Sequence, residues 1–151
     1  MDAKFETLPS YRLAYVRQTG PYGAGNVSAM EALKDWAMGK NLLTESAVLF
    51  GIPQDNPQTT SPEQCRYDAC IVIAEDDLVD DAVRKGVLNG GDYVVFTIKH
   101  TAEAIQNAWA SIFPIVHSMG FQVDDKPVLE RYTGILLTEN DCEICVPVKP
   151  I

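Results

Sequence analysis

Polar and apolar residues follow a strand, helix, strand, strand order in the first half of the chain. Alternation over residues 11–18 predicts a half-buried strand, which the Gly-Pro-Tyr-Gly segment after it ends. Apolar residues then recur at helical spacing over 27–37, and Asn26 is placed to cap this first helix. Two short apolar runs, 47–52 and 66–73, predict the next two strands.

The same order returns in the second half. After a connection over 74–89 that ends in one short strand, the branched and aromatic residues of 92–100 predict a strong strand. A second helix follows, and then strands at 127–133 and 142–148 that are separated by a turn at 139–141. Repetition at an offset of roughly 80 residues indicates an internal duplication.

The second predicted helix carries an interior proline. Thr101 is placed to cap this helix, which ends near Gly120. Its apolar face consists of Ile105, Ala108, Trp109, Ile112, Phe113 and Val116. Because proline removes a backbone hydrogen bond, Pro114 predicts a bend, or a division of the helix into two shorter pieces.

We therefore expect one α+β domain over residues 1–151, with pseudo-repeats at about 8–74 and 87–150. Both main helices should lie on one face of the sheet. Alignment of the two repeats places Phe50 and Glu130 at equivalent positions, so a carboxylate replaces a phenyl ring. A cleft between such repeats is a natural ligand pocket.

Composition narrows the possible partners. The chain has 151 residues, is 46% hydrophobic and carries a net charge of -9, which fits one globular domain and opposes direct nucleic-acid binding. Cationic partners are favoured. We find neither a membrane-spanning apolar run nor a secretory signal, so the sequence predicts a cytoplasmic protein without membrane contact.

The four cysteines predict no metal or redox site. Cys142 and Cys145 have C-x-x-C spacing, but both histidines lie far from them in sequence. Cys70 and Cys145 sit inside apolar strand patterns, where a reduced thiol acts as a small hydrophobe. The sequence shows no pattern typical of a Ser-His or Cys-His catalytic group. We therefore expect no metal, no cofactor and no catalytic residue.

Glu130 is the leading candidate functional residue. In a strand, Val128, Glu130 and Tyr132 point to one face, whereas Leu129 and Arg131 point to the other. Arg131 therefore cannot simply neutralise Glu130. The carboxylate is either solvated at the sheet surface or kept for a positively charged ligand.

Aromatic residues near this strand or on the second helix are candidate ligand contacts. Trp109 and Phe113, four residues apart on one helical face, fit either core packing or a pocket wall. Tyr22, in a Gly-rich loop, fits either a loop anchor or a ligand lid. Tyr93 and Tyr132 are strand aromatics that could line the cleft.

Several short motifs together resemble the GyrI-like small-molecule-binding domains, which include DNA gyrase inhibitory proteins and effector-binding domains of multidrug-responsive regulators. These motifs are Gly20-Pro21-Tyr22, Asp55-Asn56-Pro57, Cys65-Arg66-Tyr67-Asp68, Gly91-Asp92-Tyr93, Ala108-Trp109 with Ile112-Phe113, Pro127 with Glu130 and Tyr132, and Val146-Pro147-Val148. The resemblance implies a curved antiparallel sheet of two strand-helix-strand-strand modules. It also implies a pocket between the helices for hydrophobic, often cationic, aromatic compounds, with Glu130 at its base.

The sequence thus favours a stand-alone binding module for hydrophobic cationic aromatic molecules. Its expected ligand contacts are Glu130, Trp109, Phe113, Tyr22, Tyr93, Tyr132 and Phe50. Two alternatives stay open. The chain could inhibit DNA gyrase through protein–protein contact, or it could hydrolyse strained electrophilic aromatic compounds with the same pocket residues.

Overall fold

The computed structural model describes residues 2–77, 79–133 and 141–151. Two long helices and nine strands are present in these ranges, in an α+β arrangement. In chain order they are β1 Asp2–Leu8, β2 Tyr11–Thr19, α1 Ala24–Gly39, β3 Val48–Pro53, β4 Arg66–Ile73, β5 Arg84–Leu88, β6 Gly91–Lys99, α2 Ala102–Ser118, β7 Phe121–Val123, β8 Leu129–Thr133 and β9 Asp141–Pro150. A short 3-10 turn spans Pro62–Gln64.

The strands form one antiparallel sheet that repeats itself about its centre. Its order is β1-β6-β9-β8-β3-β4-β2-β5, with β7 paired to the end of β9. The triplet β6-β9-β8 mirrors β2-β4-β3, and β3 pairs with β8 where the two halves meet. This arrangement confirms the predicted duplication of a strand-helix-strand-strand unit.

Both long helices pack on the same face of the sheet, as predicted. α1 buries Ala29, Leu33 and Ala37, and α2 buries Ala108, Ile112 and Val116. These six side chains belong to one apolar cluster with sheet residues that include Leu49, Ile71, Phe96 and Ile144. The i, i+4 and i, i+8 spacing of the buried positions explains why each helix presents one apolar stripe to the sheet.

The opposite face of the sheet is also largely buried. Two-residue links join β1 to β2 and β5 to β6, although these pairs come from opposite ends of the strand order. The sheet therefore curves until its ends approach each other, and the Gly90 amide donates to Ser10 Oγ at 3.0 Å. The curvature encloses a second apolar cluster, which includes Leu8, Leu13, Phe50, Tyr93, Leu129 and Cys145.

Several predictions about the helix ends are corrected or confirmed. α1 begins one turn earlier than expected because Gly23, at a φ of 137°, occupies the cap position, and Asn26 lies in the first turn instead. Thr101 caps α2 as predicted, since its hydroxyl accepts from the Ala104 amide at 3.1 Å.

Pro114 does not divide α2 into two pieces. The helix is continuous over Ala102–Ser118. Ile112 and Val116, on either side of the proline, are both buried against the sheet. This packing of the turns on both sides of Pro114 explains why the helix continues despite the missing backbone donor.

Sequence patterns missed two strands. β1 is dominated by polar residues, and six of its seven positions are half-buried or exposed, so it lacks an apolar run. β7 has only three residues. The predicted turn at 139–141 lies outside the described residues except for Asp141, which begins β9.

The register at the centre of the sheet corrects the predicted equivalence of Phe50 and Glu130. Phe50 pairs with Arg131, and Gly51 pairs with Glu130. Phe50 and Leu129 lie together in the cluster away from the helices. Gly51, one residue after Phe50, is therefore the position that corresponds to Glu130, one residue after Leu129.

Candidate functional site

A cavity of about 350 Å³ opens on the helix-bearing face of the sheet. One wall comes from α1, and the other comes from the central strands and the segment before α2. The described lining residues are Asn26, Val27, Met30, Glu31, Lys34, Tyr67, His100, Glu130, Tyr132 and Asp141. The cavity therefore brings strands of both halves together with a helix of the first half.

Glu130 reaches this cavity because strand alternation turns it toward the helices. Its half-buried carboxylate accepts a hydrogen bond from the Tyr132 hydroxyl at 2.9 Å. Directly across the strand pair lies Gly51, where a Cβ would collide with the Tyr67 hydroxyl and approach Glu130 Oε1 to 3.3 Å. The missing side chain at Gly51 thus leaves the space that the carboxylate and the Tyr67 phenol occupy.

Burial governs the titration of this group. Desolvation raises the pKa of Glu130 above its usual value, and the hydrogen bond from Tyr132 offsets only part of that rise. Desolvation also raises the pKa of Tyr67 and of Tyr132, and the negative charge of Glu130 raises both further. Both phenols are therefore neutral donors at physiological pH.

His100 extends this polar group toward the start of α2. Its Nε2 lies 3.4 Å from the Tyr132 hydroxyl, and the two rings are 5.2 Å apart between centroids. Burial lowers the pKa of His100, and the positive charge of Lys34 lowers it further. The imidazole is therefore uncharged at neutral pH and does not neutralise Glu130.

The Arg131 side chain points to the other face of the sheet, as strand alternation predicts, and forms ion pairs there. Its Nε donates to Glu143 at 2.8 Å, and its Nη1 donates to Glu6 at 2.6 Å. Arg131 and Glu143 are both buried. The adjacent cation on β8 is thus fully occupied and cannot reach Glu130.

Sequence reasoning missed the contribution of α1 to the cavity. Val27, Met30, Glu31 and Lys34 follow each other at spacings of three, one and three residues, which places them on one side of the helix. Two of these side chains are apolar and two are charged, a mixture that is also common on helix faces exposed to solvent. The sequence therefore did not mark them as cavity residues. The side-chain oxygen of Asn26 is buried there and has no hydrogen-bond partner within the described ranges.

Of the aromatic residues predicted as ligand contacts, Tyr132 lines this cavity with Glu130. Phe50 and Tyr93 lie in the apolar cluster on the opposite face. Tyr22 is tied to its own loop, since its hydroxyl donates to the backbone carbonyl of Arg66 at 2.9 Å and accepts from the Asp55 amide at 3.1 Å. These contacts match the loop-anchor interpretation of Tyr22.

Trp109 and Phe113 form a stacked pair on the outer part of α2. Their ring centroids are 6.2 Å apart, and they are 37% and 41% exposed. Neither is among the described residues that line the cavity over Glu130. The buried face of α2 is offset from them by one residue, through Ala108 and Ile112.

Within the described ranges, no group of three or more His, Cys, Asp or Glu side chains is arranged to hold a metal ion. All four cysteines are buried free thiols. Burial raises the pKa of Cys142 and of Cys145 to about 12, which keeps both protonated and unreactive. No described helix is long and apolar enough to cross a membrane.

Comparison with known proteins identifies a family and relatives with similar sequences. The family model for the GyrI-like small molecule binding domain matches residues 1–149. SPbeta prophage-derived YosT of Bacillus subtilis (strain 168) is 39% identical over 150 residues, covering 99% of this chain and 100% of YosT. A DNA gyrase inhibitor of Edwardsiella ictaluri (strain 93-146) is 26% identical over 137 residues, covering 87% of this chain and 86% of the inhibitor.

Solved structures share the fold at low sequence identity. The C-terminal domain of EcmrR matches with a TM-score of 0.75 and 16% identity, over 99% of this chain and 98% of that domain. SAV2435 bound to tetraphenylphosphonium matches with a TM-score of 0.58 and 15% identity, over 99% and 94%. A hydrolase from Listeria innocua matches with a TM-score of 0.64 and 11% identity, over 97% and 91%.

Proposed function

The chain belongs to the GyrI-like small-molecule-binding domain family, and from that premise we propose that it binds a hydrophobic aromatic cation in the cavity over Glu130. The observation that carries this proposal is a carboxylate withdrawn from water without a counter-ion. Glu130 takes part in no ion pair of the described residues, and its pKa is raised by burial. A cationic ligand would supply the missing charge.

The surroundings of Glu130 suit a cation that carries apolar groups. The Tyr67 and Tyr132 rings offer faces that attract positive charge, and their hydroxyls lie beside the carboxylate. Met30 and Val27 supply apolar contacts from α1. Asn26 adds an unpaired acceptor for a ligand that also carries a donor.

The cavity size sets a limit on the ligand. A volume of about 350 Å³ holds a drug-sized aromatic molecule rather than a macromolecular segment. SAV2435, which shares the fold, was solved with tetraphenylphosphonium, a hydrophobic aromatic cation. That complex supports the choice of tetraphenylphosphonium as the first probe.

The test is titration calorimetry with two matched carboxylate variants. Glu130→Gln keeps the side-chain shape and removes the charge, and it should weaken tetraphenylphosphonium binding about ten- to a hundredfold. Glu31→Gln removes the carboxylate that α1 brings to the cavity, at an exposed position, and should change binding much less. Equal effects of the two variants would contradict the proposal.

A second titration separates charge from shape. Phenyltrimethylammonium and tert-butylbenzene differ only in the central atom and its charge. Wild-type protein should prefer the cation, and Glu130→Gln should remove most of that preference. If both proteins bind the two molecules equally, Glu130 is a structural residue and the ligand site lies elsewhere.

Inhibition of DNA gyrase is a second candidate function, because a relative named DNA gyrase inhibitor aligns over 87% of this chain. With a net charge of -9, the protein would act on the enzyme rather than compete for DNA. A gyrase supercoiling assay with added protein tests this function. Inhibition that survives Glu130→Gln would place the gyrase contact outside the cavity.

Hydrolysis is the weaker alternative. The hydrogen-bonded series of Glu130, Tyr132 and His100 could activate water, and a hydrolase from Listeria innocua shares the fold. Incubation with a strained electrophilic aromatic compound, followed by product analysis, tests it. Turnover that Glu130→Gln abolishes would favour an enzyme over a binding module.

A further inference from the structure

A second cavity, of about 370 Å³, lies on the face of the sheet that is turned away from the helices. We propose that it binds a small amphiphilic anion, a monocarboxylate or monosulfonate with an aromatic or branched apolar body, independently of the cavity over Glu130. The two cavities share no lining residue among those described. A ligand in one therefore leaves the other accessible.

The floor of the second cavity is apolar. Leu13, Cys70, Tyr93 and Leu129 line it, and all four are at least 96% buried. They belong to the cluster that the curved sheet encloses between β2, β4, β6 and β8. Such a floor accommodates the apolar body of a ligand. Release of water from the floor and from the ligand then favours binding.

The described lining of the second cavity carries two cations, Arg17 and Lys126, and one anion, Asp68, while Asp124 lies outside the lining at 3.9 Å from Lys126. Asp68 is saturated, because Arg17 donates to its two oxygens at 2.7 and 2.8 Å and Gln54 donates at 3.0 Å. Arg17 and Asp68 therefore cancel as a bidentate pair. Lys126 is the remaining charged group among the described lining residues.

Lys126 has capacity to bind an anion. Its Nζ lies 3.9 Å from Asp124 Oδ2, which is too long for a hydrogen bond, and its side chain is 39% exposed at the mouth of the cavity. A Cβ at Gly91 would lie 2.8 Å from Nζ, so the glycine leaves room for the ammonium group. In a chain with a net charge of -9, this ammonium above an apolar floor is an unusual local arrangement that selects anions.

Two probes with the same naphthyl body and two lysine variants test this site. 2-Naphthoate carries the required charge and apolar body, and 2-naphthalenemethanol is its neutral counterpart. Wild-type protein should bind 2-naphthoate about tenfold more tightly than the alcohol, as one charge-assisted contact allows. Lys126→Met should remove that preference, whereas Lys149→Met, at an exposed position on β9 outside both cavities, should keep it.

Independence from the first cavity is measured by competition. Saturating tetraphenylphosphonium should leave the affinity for 2-naphthoate unchanged, and Glu130→Gln should also leave it unchanged. The proposal is overturned if 2-naphthoate fails to bind at millimolar concentration, if the alcohol binds equally well, if the two lysine variants lose the same affinity, or if tetraphenylphosphonium displaces the anion. Circular dichroism of both variants establishes that they are folded.

Discussion

Glu130 and Glu143 lie on adjacent, hydrogen-bonded strands, yet they meet opposite electrostatic environments. Glu143 is buried on the face away from the helices, where Arg131 donates to it at 2.8 Å. Glu130 faces the helices, and its described polar partners are phenols. The contrast shows that withdrawal from water alone does not define a binding site. Among the described residues, the lack of a counter-ion distinguishes Glu130, which we propose as the ligand-binding carboxylate, from the ion-paired Glu143.

The largest effect should follow when the paired carboxylates lose their cation. Arg131→Met leaves Glu143 buried without a partner and also releases Glu6, so the free energy of unfolding should fall by about 3–5 kcal/mol. Urea unfolding measures the loss. Arg12→Met, which breaks an exposed pair with Glu75, is the matched control and should change stability little.

The same variant has a predicted pH signature. Hydrogen bonds from Arg131 lower the pKa of Glu6 in the folded state, so this pair stabilises the protein above the unfolded pKa of Glu6. That contribution disappears as the pH falls through the lowered folded pKa. Arg131→Met should therefore show a smaller loss of stability in this acidic range than wild type. An identical pH profile would contradict the role assigned to the pair.

A moderate effect should follow when the space beside Glu130 is filled. Gly51→Ala places a methyl group against the Tyr67 hydroxyl and near Glu130 Oε1, which should cost about 1–3 kcal/mol of stability and weaken cation binding. Gly39→Ala is the control, because a Cβ there meets nothing within 4 Å. If Gly51→Ala binds tetraphenylphosphonium as tightly as Gly39→Ala does, the cavity is not shaped by Gly51.

The unpaired carboxylate should itself carry a stability cost. At pH 7, Glu130→Gln should raise the free energy of unfolding by about 0.5–2 kcal/mol, the range typical of a single stabilising substitution. Because the folded pKa of Glu130 is raised, wild type loses stability as the pH rises through 4.5 toward that folded value. The advantage of the variant should therefore vanish below pH 4.5. Glu143→Gln should destabilise instead, which sharpens the contrast between the two carboxylates.

The smallest effect should come from the phenol that stabilises ionised Glu130. Tyr132→Phe removes the hydrogen bond that lowers the pKa of Glu130, so that pKa should rise further. If Glu130 binds the cation as we propose, binding should strengthen with pH as Glu130 ionises, and the midpoint of that rise should move to higher pH in the variant. Tyr11→Phe, which packs on Phe50 at the other face, should keep the wild-type midpoint. Calorimetric titrations from acidic to neutral pH measure both.

Much of the fold was predictable because its determinants are local. β4 matches its predicted bounds at Arg66–Ile73, since eight consecutive residues carry a clear strand pattern between breakers. Alternation on β8 correctly separated Glu130 from Arg131. β1 escaped detection because it is stabilised by partners remote in sequence, including the Glu6 contact with Arg131.

The composition of the candidate site was less predictable, for reasons of register and surface chemistry. Aligning the apolar segments 47–50 and 127–130 by sequence matched Phe50 to Glu130. An error of one residue in such an alignment assigns a side chain to the wrong face of the sheet. Gly51, not Phe50, meets Glu130. The contribution of Glu31 and Lys34 to the cavity could not be predicted from the sequence, because charged residues on a helix ordinarily face solvent. It follows only from how α1 packs on the sheet.

The pairing of Gly51 with Glu130 also bears on how a duplicated protein acquires a single charge. The pair lies where the two repeats meet, so residues there are each other's counterparts. Two identical copies, as in a homodimer of half-length chains, would place two glutamates side by side at this point, and their mutual repulsion would drive one of them to stay protonated. In a single polypeptide the two positions can differ, and here one carries a carboxylate while the other has no side chain to compete for its space.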